Sequence, residues 1–272
     1  MTRQTSVATL QPVPGFEGTD YALLRGRIVW TGRHASTDHP RNAARPWQPT
    51  RQRLSTARLR RGAALLQRGL ADGSAGLPAR GLLSWLCGQP LPFPLQLAQA
   101  RFDAVRSALV AQDLSAFEAA ALRVLGLGHG LTPSGDDFIG AVLFTLRQAP
   151  IASWQARLPA LHAHLRQAAC SATNPISAAL LDDLMAGCSY RALHELLAAL
   201  QQRQPAALHR AAQALLAVGA SSGADMLAGV LLALHSPADI TDITDITDIT
   251  DITDGTDAAD PADPASTRPT PR

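Results

Sequence analysis

From Leu54 to His235 the sequence is rich in alanine and leucine, and its apolar residues recur every three or four positions. This spacing places apolar side chains on one face of a helix, and the alternation typical of strands is missing. The pattern therefore predicts consecutive helices separated by short glycine or proline breaks. The predicted helices cover residues 55–70, 95–110, 114–125, 135–147, 153–170, 176–186, 190–201, 205–217 and 223–235.

The two ends of the chain differ from this helical region. Near the N-terminus, Ser6–Leu10 and Ala22–Trp30 are predicted to be short strands. At the C-terminus, five copies of Asp-Ile-Thr begin at Asp239, and such an acidic, low-complexity tract cannot form a packed core. We therefore expect a mainly α (α+β) fold, with a compact multi-helix domain in the middle of the chain. The expected parts are a β-containing segment (1–53), a helical domain with glycine-rich anion-binding loops (54–236) and a disordered acidic tail (237–272).

The charged residues restrict the chemistry. All 24 basic residues are arginine, so Schiff-base chemistry, which needs a lysine, is excluded. Before Pro237 the chain has 22 arginines and 13 acidic residues, a net charge of +9, whereas the tail has two arginines and nine aspartates, a net charge of −7. The arginines are spread out and follow no nucleic-acid-binding motif, so we expect no nucleic-acid partner. A small anionic substrate accounts for the positive charge as well, and a solvated arginine-rich surface accounts for it better than either.

Location and cysteine use are also predicted from composition. The sequence has no apolar run of about 20 residues, which a membrane helix needs, and its first residues lack the pattern of a secretory signal. We expect a cytoplasmic protein with no membrane partner. The spacing of Cys87, Cys170 and Cys188 indicates neither a disulfide framework nor a zinc site, and we expect these side chains to be small and buried.

The strongest functional signal is the glycine-rich loop from Gly126 to Asp137, which joins two predicted helices. Glycine permits unusual backbone conformations and close approach of a ligand. A helix N-terminus also exposes unpaired N–H groups and the positive end of the helix dipole, which bind phosphate or carboxylate. An alternative is that Ser134 and Asp137 form a capping box that needs no ligand. That alternative does not account for the other glycines or for Asp136.

Two further segments strengthen the hypothesis. Ser222-Gly223-Ala224-Asp225 repeats the pattern of Ser134-Gly135-Asp136-Asp137, and each opens a predicted helix. If packing brings these helix starts together, one site has N–H donors on both sides. In the third segment, Asn174 and Pro175 suit the N-cap and first position of a helix, although the Asn174 amide is also suited to a substrate carbonyl or carboxylate.

Neighbouring aspartates raise the question of a metal. Mg²⁺ usually binds one or two carboxylates together with substrate oxygens and water. Asp136 is therefore a candidate Mg²⁺ ligand beside a bound phosphate. Asp182 and Asp183 are expected on a solvent-exposed helix face.

Three blocks in order resemble the signature blocks of the AllH family, the H subunits of oxamate carbamoyltransferase. They are GLGHGLTPSGDDFIGA (126–141), SATNPISAALLDDLMAG (171–187) and VGASSGADMLAGVLLAL (218–234), and with the helices between them the resemblance covers about residues 80–235. His129 and Ala220 depart from the residues usual in the family.

The resemblance implies a carbamoyltransferase subunit of allantoin and purine catabolism. With AllF- and AllG-like partner subunits, such an enzyme converts oxalurate and phosphate into oxamate and carbamoyl phosphate. An alternative is a non-catalytic regulatory or scaffold subunit that only binds the anion.

The loop pattern and the resemblance together give the predicted site. Backbone N–H groups and hydroxyls would hold phosphate and stabilise the oxyanion, while Asp136 or Asp137, with a raised pKa, would supply a proton. The predicted substrate- or phosphate-binding residues are Gly128, Gly130, Thr132, Ser134, Gly135, Asn174, Ser222, Gly223 and Asp225.

Overall fold

A computed structural model of the chain describes residues 11–12, 14, 21–24, 27–30, 54–149 and 151–235. The predicted strand Ser6–Leu10 and the predicted tail 237–272 lie outside these residues. The expected division of the chain at residue 53 stays a prediction.

The N-terminal strands form a three-stranded antiparallel sheet in the order β1-β2-β3. Its strands are β1 (Gln11–Pro12), β2 (Tyr21–Leu24) and β3 (Arg27–Trp30). The prediction of one strand over Ala22–Trp30 is wrong, because this stretch supplies two strands with Leu24 opposite Arg27. The two residues between them include Gly26, and short glycine-containing connections are typical of hairpins.

The rest of the described chain is helical, so the predicted mainly α fold is confirmed. The helices are α1 (Thr56–Ala71), α2 (Gly81–Leu86), α3 (Gln99–Val110), α4 (Leu114–Leu122), α5 (Ser134–Gln148), α6 (Ala152–Gln155), α7 (Leu158–Ala172), α8 (Pro175–Met185), α9 (Arg191–Gln202), α10 (Pro205–Leu216) and α11 (Ser222–Leu234). All nine predicted helical stretches are helical, but 153–170 is divided into α6 and α7, and α2 was not predicted. None of the described helices has the length and apolar content needed to cross a membrane.

Helices α5 and α11 form the centre of the core. Every residue of α5 from Ser134 to Leu146 is buried, and so is every residue of α11 from Gly223 to Leu234. A helix that is apolar on all sides belongs in the interior, and these two pack along each other. Their backbones approach closely at Gly229, where a Cβ would lie 2.4 Å from the carbonyl oxygen of Phe138.

The other helices surround this pair, with α8 packed on α5 and α2 packed on α11. The short helix α2 is held by Trp85, whose ring centroid lies 6.2 Å from that of Phe102 and 6.0 Å from that of Phe138. The Trp85 indole also donates a hydrogen bond of 3.1 Å to Asp103 on α3. Aromatic packing therefore fixes α2 relative to α3 and α5.

Candidate functional site

The two serine–glycine turns lie side by side. Helix α5 begins at Ser134 and helix α11 begins at Ser222. The hydroxyl oxygens of Thr132, just before α5, and Ser222 are 2.8 Å apart. Packing thus brings the two helix starts together, as the repeated sequence pattern suggested.

The capping-box alternative is wrong. Pro133 occupies the N-cap position of α5 and Ser221 that of α11, and neither helix has a side-chain cap. The first-turn side chains instead face the opposite helix. The hydroxyl of Ser134 interacts with the carboxyl of Asp225, and the hydroxyl of Ser222 interacts with the carboxyl of Asp137. Each interaction lowers the pKa of the carboxyl.

Gly135 and Gly223 are required by close packing. A Cβ at Gly135 would lie 1.9 Å from the carbonyl oxygen of Val124, and one at Gly223 would lie 1.8 Å from that of Leu215. Their N–H groups donate to the carbonyls of Leu127 (2.8 Å) and Val218 (3.0 Å), respectively. Both predicted binding glycines therefore use their N–H groups inside the protein, and direct contact with a substrate stays a prediction.

The glycine loop itself retains free donors. The N–H groups of residues 128–132 make no hydrogen bond to other described residues. His129 and Gly130 are exposed, and Gly128 and Leu131 are partly exposed. The partly exposed stretch 128–131 therefore has N–H groups without an acceptor among the described residues, and such groups are suited to binding an anion.

Asp136 is held by three donors although only 2% of it is exposed. Its Oδ1 accepts from the N–H of Gly126 at 2.7 Å, and its Oδ2 accepts from the hydroxyls of Ser177 (2.7 Å) and Thr173. These contacts tie the loop to the start of α8. Because both carboxylate oxygens are engaged, this geometry favours a positioning role, and the roles of proton donor and Mg²⁺ ligand stay predictions.

Asn174 makes the N-cap that its sequence context predicted. Its Oδ1 accepts from the N–H groups of Ile176 (3.0 Å) and Ser177 (3.1 Å). Its Nδ2 donates to the carbonyl of Leu131 at 2.8 Å, so the amide also fixes the loop. A direct contact with substrate stays a prediction.

Asp137 is the carboxyl best suited to hold a proton. It is 4% exposed, and its Oδ2 has no hydrogen-bond partner among the residues that the structure describes. Burial, the nearby Asp225 carboxylate and, to a smaller extent, Asp136 raise its pKa well above the usual range, and the hydroxyls of Ser222 and Thr132 offset only part of this shift. Such a raised pKa is what a proton donor near neutral pH requires.

Asp225, the carboxyl that neighbours Asp137, is fully buried. Its Oδ1 accepts a hydrogen bond from the N–H of Leu82 at 2.7 Å, whereas its Oδ2 has no hydrogen-bond partner in the described part of the chain. Burial raises its pKa to about 6, while the Leu82 N–H, the hydroxyls of Ser134 and Ser221, and the Arg80 guanidinium act in the opposite direction.

Several residues that build the site were missed from sequence. Thr173 and Ser177 hold Asp136, and Leu82, with Arg80 nearby, supports Asp225. Thr173 and Ser177 flank the recognised Asn174, which was a usable signal. The segment before α2 carries no comparable pattern.

The remaining predictions concern residues outside this cluster. In the part of the chain that is described, no group of three or more His, Cys, Asp or Glu is arranged to hold a metal ion. Asp182 pairs with Arg166 at 2.5 Å and is 48% exposed, in agreement with a solvent-exposed face. The prediction of buried cysteines is wrong for Cys170 and Cys188, which lie on outward-facing positions, and Cys87 is partly buried.

A separate groove of about 420 Å³ lies at the other end of α11. It is mostly apolar, and its lining includes Leu70, Leu86, Val110 and Leu231. None of the predicted site residues lines it, so it is distinct from the site at the helix starts.

Comparison with known proteins gives a family match over the part of the chain that contains the candidate site. A family model described as oxamate carbamoyltransferase subunit AllH matches residues 124–234, whereas searches of curated proteins and of solved structures gave no match. The predicted resemblance is confirmed over this range, and residues 80–123 lie outside it. Over residues 124–234, which contain every residue of the predicted site, the chain therefore matches the AllH family of oxamate carbamoyltransferase subunits.

Proposed function

We propose that the chain is a subunit of an oxamate carbamoyltransferase-like enzyme that converts oxalurate and phosphate into oxamate and carbamoyl phosphate. One observation carries the proposal. Two helix starts meet at a buried pair of carboxyls, Asp137 and Asp225. Within the described part of the chain, each carboxyl has one oxygen without a partner, and the adjoining loop has N–H groups without an acceptor. The match to a family described as an oxamate carbamoyltransferase subunit supports this class of reaction and a role within a complex. We propose that the partner subunits are AllF- and AllG-like.

The loop would bind the anions. The N–H groups of residues 128–131, which have no acceptor among the described residues, are the donors, and the positive ends of α5 and α11 add to the attraction for a negative charge. Phosphate and the oxalurate carboxylate are both small anions of the kind that such a loop accepts. Asp136 and Asn174 keep the loop in place by their contacts with Gly126 and Leu131.

In the proposed reaction, an oxygen of phosphate attacks the ureido carbonyl carbon of oxalurate. The bond from this carbon to the nitrogen that it shares with the oxalyl group then breaks. This nitrogen takes a proton from the neutral carboxyl of Asp137 and becomes the amide nitrogen of oxamate. The hydroxyl proton of hydrogen phosphate restores the proton on Asp137, so the reaction is balanced. Loop N–H groups stabilise the negative oxygen that develops on the attacked carbonyl.

The proposal is tested by reconstituting the chain with AllF- and AllG-like subunits and measuring carbamoyl phosphate formed from oxalurate and phosphate. Asp137→Asn is expected to lower kcat by about 100-fold or more, because it removes the proton donor. Asp182→Asn, which changes an exposed ion pair, is the matched control and should retain activity. Full activity of Asp137→Asn, or no carbamoyl phosphate from the assembled complex, would refute the proposal.

A second candidate is a non-catalytic subunit that binds the anion for regulation or scaffolding. It is favoured by the engagement of Asp136, one of the two predicted catalytic residues, whose carboxylate oxygens accept from Gly126, Thr173 and Ser177. Calorimetric titration of the chain with phosphate and with oxalurate, combined with turnover by the partner subunits, separates the two. Binding by this chain, together with equal turnover in its absence, would favour the second candidate.

A further inference from the structure

The start of α2 reaches the carboxyl pair from outside the segment that matches the AllH family. Leu82 donates its N–H to the Asp225 Oδ1 at 2.7 Å. Gly81, at a φ of +54°, lies so close that a Cβ would be 2.4 Å from the same oxygen. Arg80 contributes a positive charge near Asp225, and its guanidinium donates to the carbonyl of Leu216 at the end of α10.

The two carboxyls consequently have unequal surroundings. The charged and titratable groups that act on them are Asp136 and Asp137 from α5, Asp225 from α11 and Arg80 from the segment before α2. Asp225 has a backbone donor and the Arg80 cation in its favour when it is ionised. Asp137 has only the hydroxyls of Ser222 and Thr132 to oppose burial and two neighbouring negative charges.

We propose that Arg80, Gly81 and Leu82 are positioning residues that keep the Asp225 carboxyl ionised and thereby leave the proton of the pair on Asp137. Ionised and neutral carboxyls in contrasting surroundings are the usual arrangement when one group gives a proton and its neighbour does not. The inference rests on the proposed function only in the use of that proton, which would go to the leaving nitrogen of oxalurate.

The geometry is suited to this role because the start of α2 is fixed on two sides. Trp85 packs against Phe102 and Phe138, which connects α2 to α3 and α5. Arg80 attaches the segment before α2 to the end of α10, next to the turn that opens α11. The Leu82 N–H is therefore held at Asp225 by the core and does not depend on a bound substrate.

The test compares Gly81→Ala with Gly76→Ala in the full chain. Both glycines have a positive φ, +54° and +58°, so both variants carry similar backbone strain. A Cβ at Gly76 meets nothing within 4 Å, whereas one at Gly81 must displace the Asp225 carboxylate or the start of α2. Carbon-detected NMR titration of the side-chain carboxyls is expected to show the pKa of Asp225 raised by about 1 pH unit in Gly81→Ala and unchanged in Gly76→Ala.

A second variant, Arg80→Gln, keeps the proposal testable if Gly81→Ala does not fold. It removes one charge without adding strain, and it should also raise the pKa of Asp225, by a smaller amount. An unchanged pKa of Asp225 in Arg80→Gln, or a wild-type protein in which Asp225 holds its proton to higher pH than Asp137, overturns the proposal. Because the titration needs no turnover, failure of the proposed function would appear separately, as absence of carbamoyl phosphate.

Discussion

The starts of α5 and α11 are built alike but are supported differently. Each begins with Ser-Gly, each glycine packs its backbone on a carbonyl from the end of the preceding helical segment, and each carries an aspartate three residues after the serine. At α5, the additional Asp136 ties the turn to α8, whereas α11 has Ala224 at that position and its Asp225 is supported by α2. The same local turn thus gives two carboxyls different properties through the neighbours that each one meets.

The largest expected effect on stability comes from adding a Cβ to the glycine of either turn. Gly135→Ala and Gly223→Ala would place the new atom 1.9 Å and 1.8 Å from a backbone carbonyl oxygen, so each should lower the free energy of unfolding by about 3 kcal/mol or more. Urea denaturation measures the effect. Gly130→Ala is the control, because its Cβ has open space and it should lose only about 1–2 kcal/mol from its positive φ. A much smaller loss in one of the two turns would show that the turns are not equivalent.

The feature present only at α5 is the three-donor contact of Asp136. Asp136→Asn is expected to lower the free energy of unfolding by about 2 kcal/mol, because the donors of Gly126, Thr173 and Ser177 lose a charged acceptor. Chemical denaturation monitored by circular dichroism checks this value. Asp113→Asn is the matched control, since Asp113 is an N-cap, a position at which Asn is equally effective. Equal stability of the two variants would contradict a structural role for Asp136.

The dependence of stability on pH reports the titration of Asp225. Burial raises the pKa of Asp225 to about 6 in the folded chain from about 3.8 when unfolded, so its contribution is complete below pH 3.8 and is lost as pH rises through 6. When the pH is lowered from 8 to 5, this group should therefore add about 1 kcal/mol to the free energy of unfolding. Urea denaturation across this range should show the gain in the wild type and its loss in Asp225→Asn. The prediction fails when both proteins have the same slope.

The smallest expected effect is at the contact between the two helix starts. Thr132 and Ser222 share a hydrogen bond of 2.8 Å between their hydroxyls. A double-mutant cycle with Thr132→Val and Ser222→Ala should give a coupling energy of about 0.5–1 kcal/mol, measured by thermal or urea denaturation. Pairing Thr132→Val with Ser115→Ala, a serine on α4 whose hydroxyl contacts Arg157, should give no coupling.

The sequence was sufficient for features that depend on local spacing. The long helices have clear periodicity, and the Asn174-Pro175 start of α8 follows from capping preferences alone. The six-residue α2 was missed because it is too short to show a period, and its stability comes from Trp85 packing on Phe102 and Phe138. The β-hairpin was predicted as one strand because both of its strands are apolar and only two residues separate them.

For the site, the sequence identified the two serine–glycine turns but not their supports. The capping-box alternative was locally reasonable, yet Ser134 is the first residue of α5 and its hydroxyl faces Asp225. The partners of Asp136 and Asp225 come from α7, α8 and the start of α2, and such contacts follow from packing over distances that spacing does not encode. Exposure of Cys170 was missed because residue type alone does not say which side of helix α7 faces the core. Cys188 lies in the connection between α8 and α9, where residue type does not predict burial.

The glycine loop is fastened at four points close to its ends: Gly126 to Asp136, Leu127 to Gly135, Leu131 to Asn174, and Thr132 to Ser222. Only the short stretch from Gly128 to Gly130 lies between the second and third of these points. A receptor fixed in this way has already lost most of its conformational entropy during folding, so closing on an anion costs little further ordering. Affinity for a small, weakly interacting ligand can then be high without many contacts.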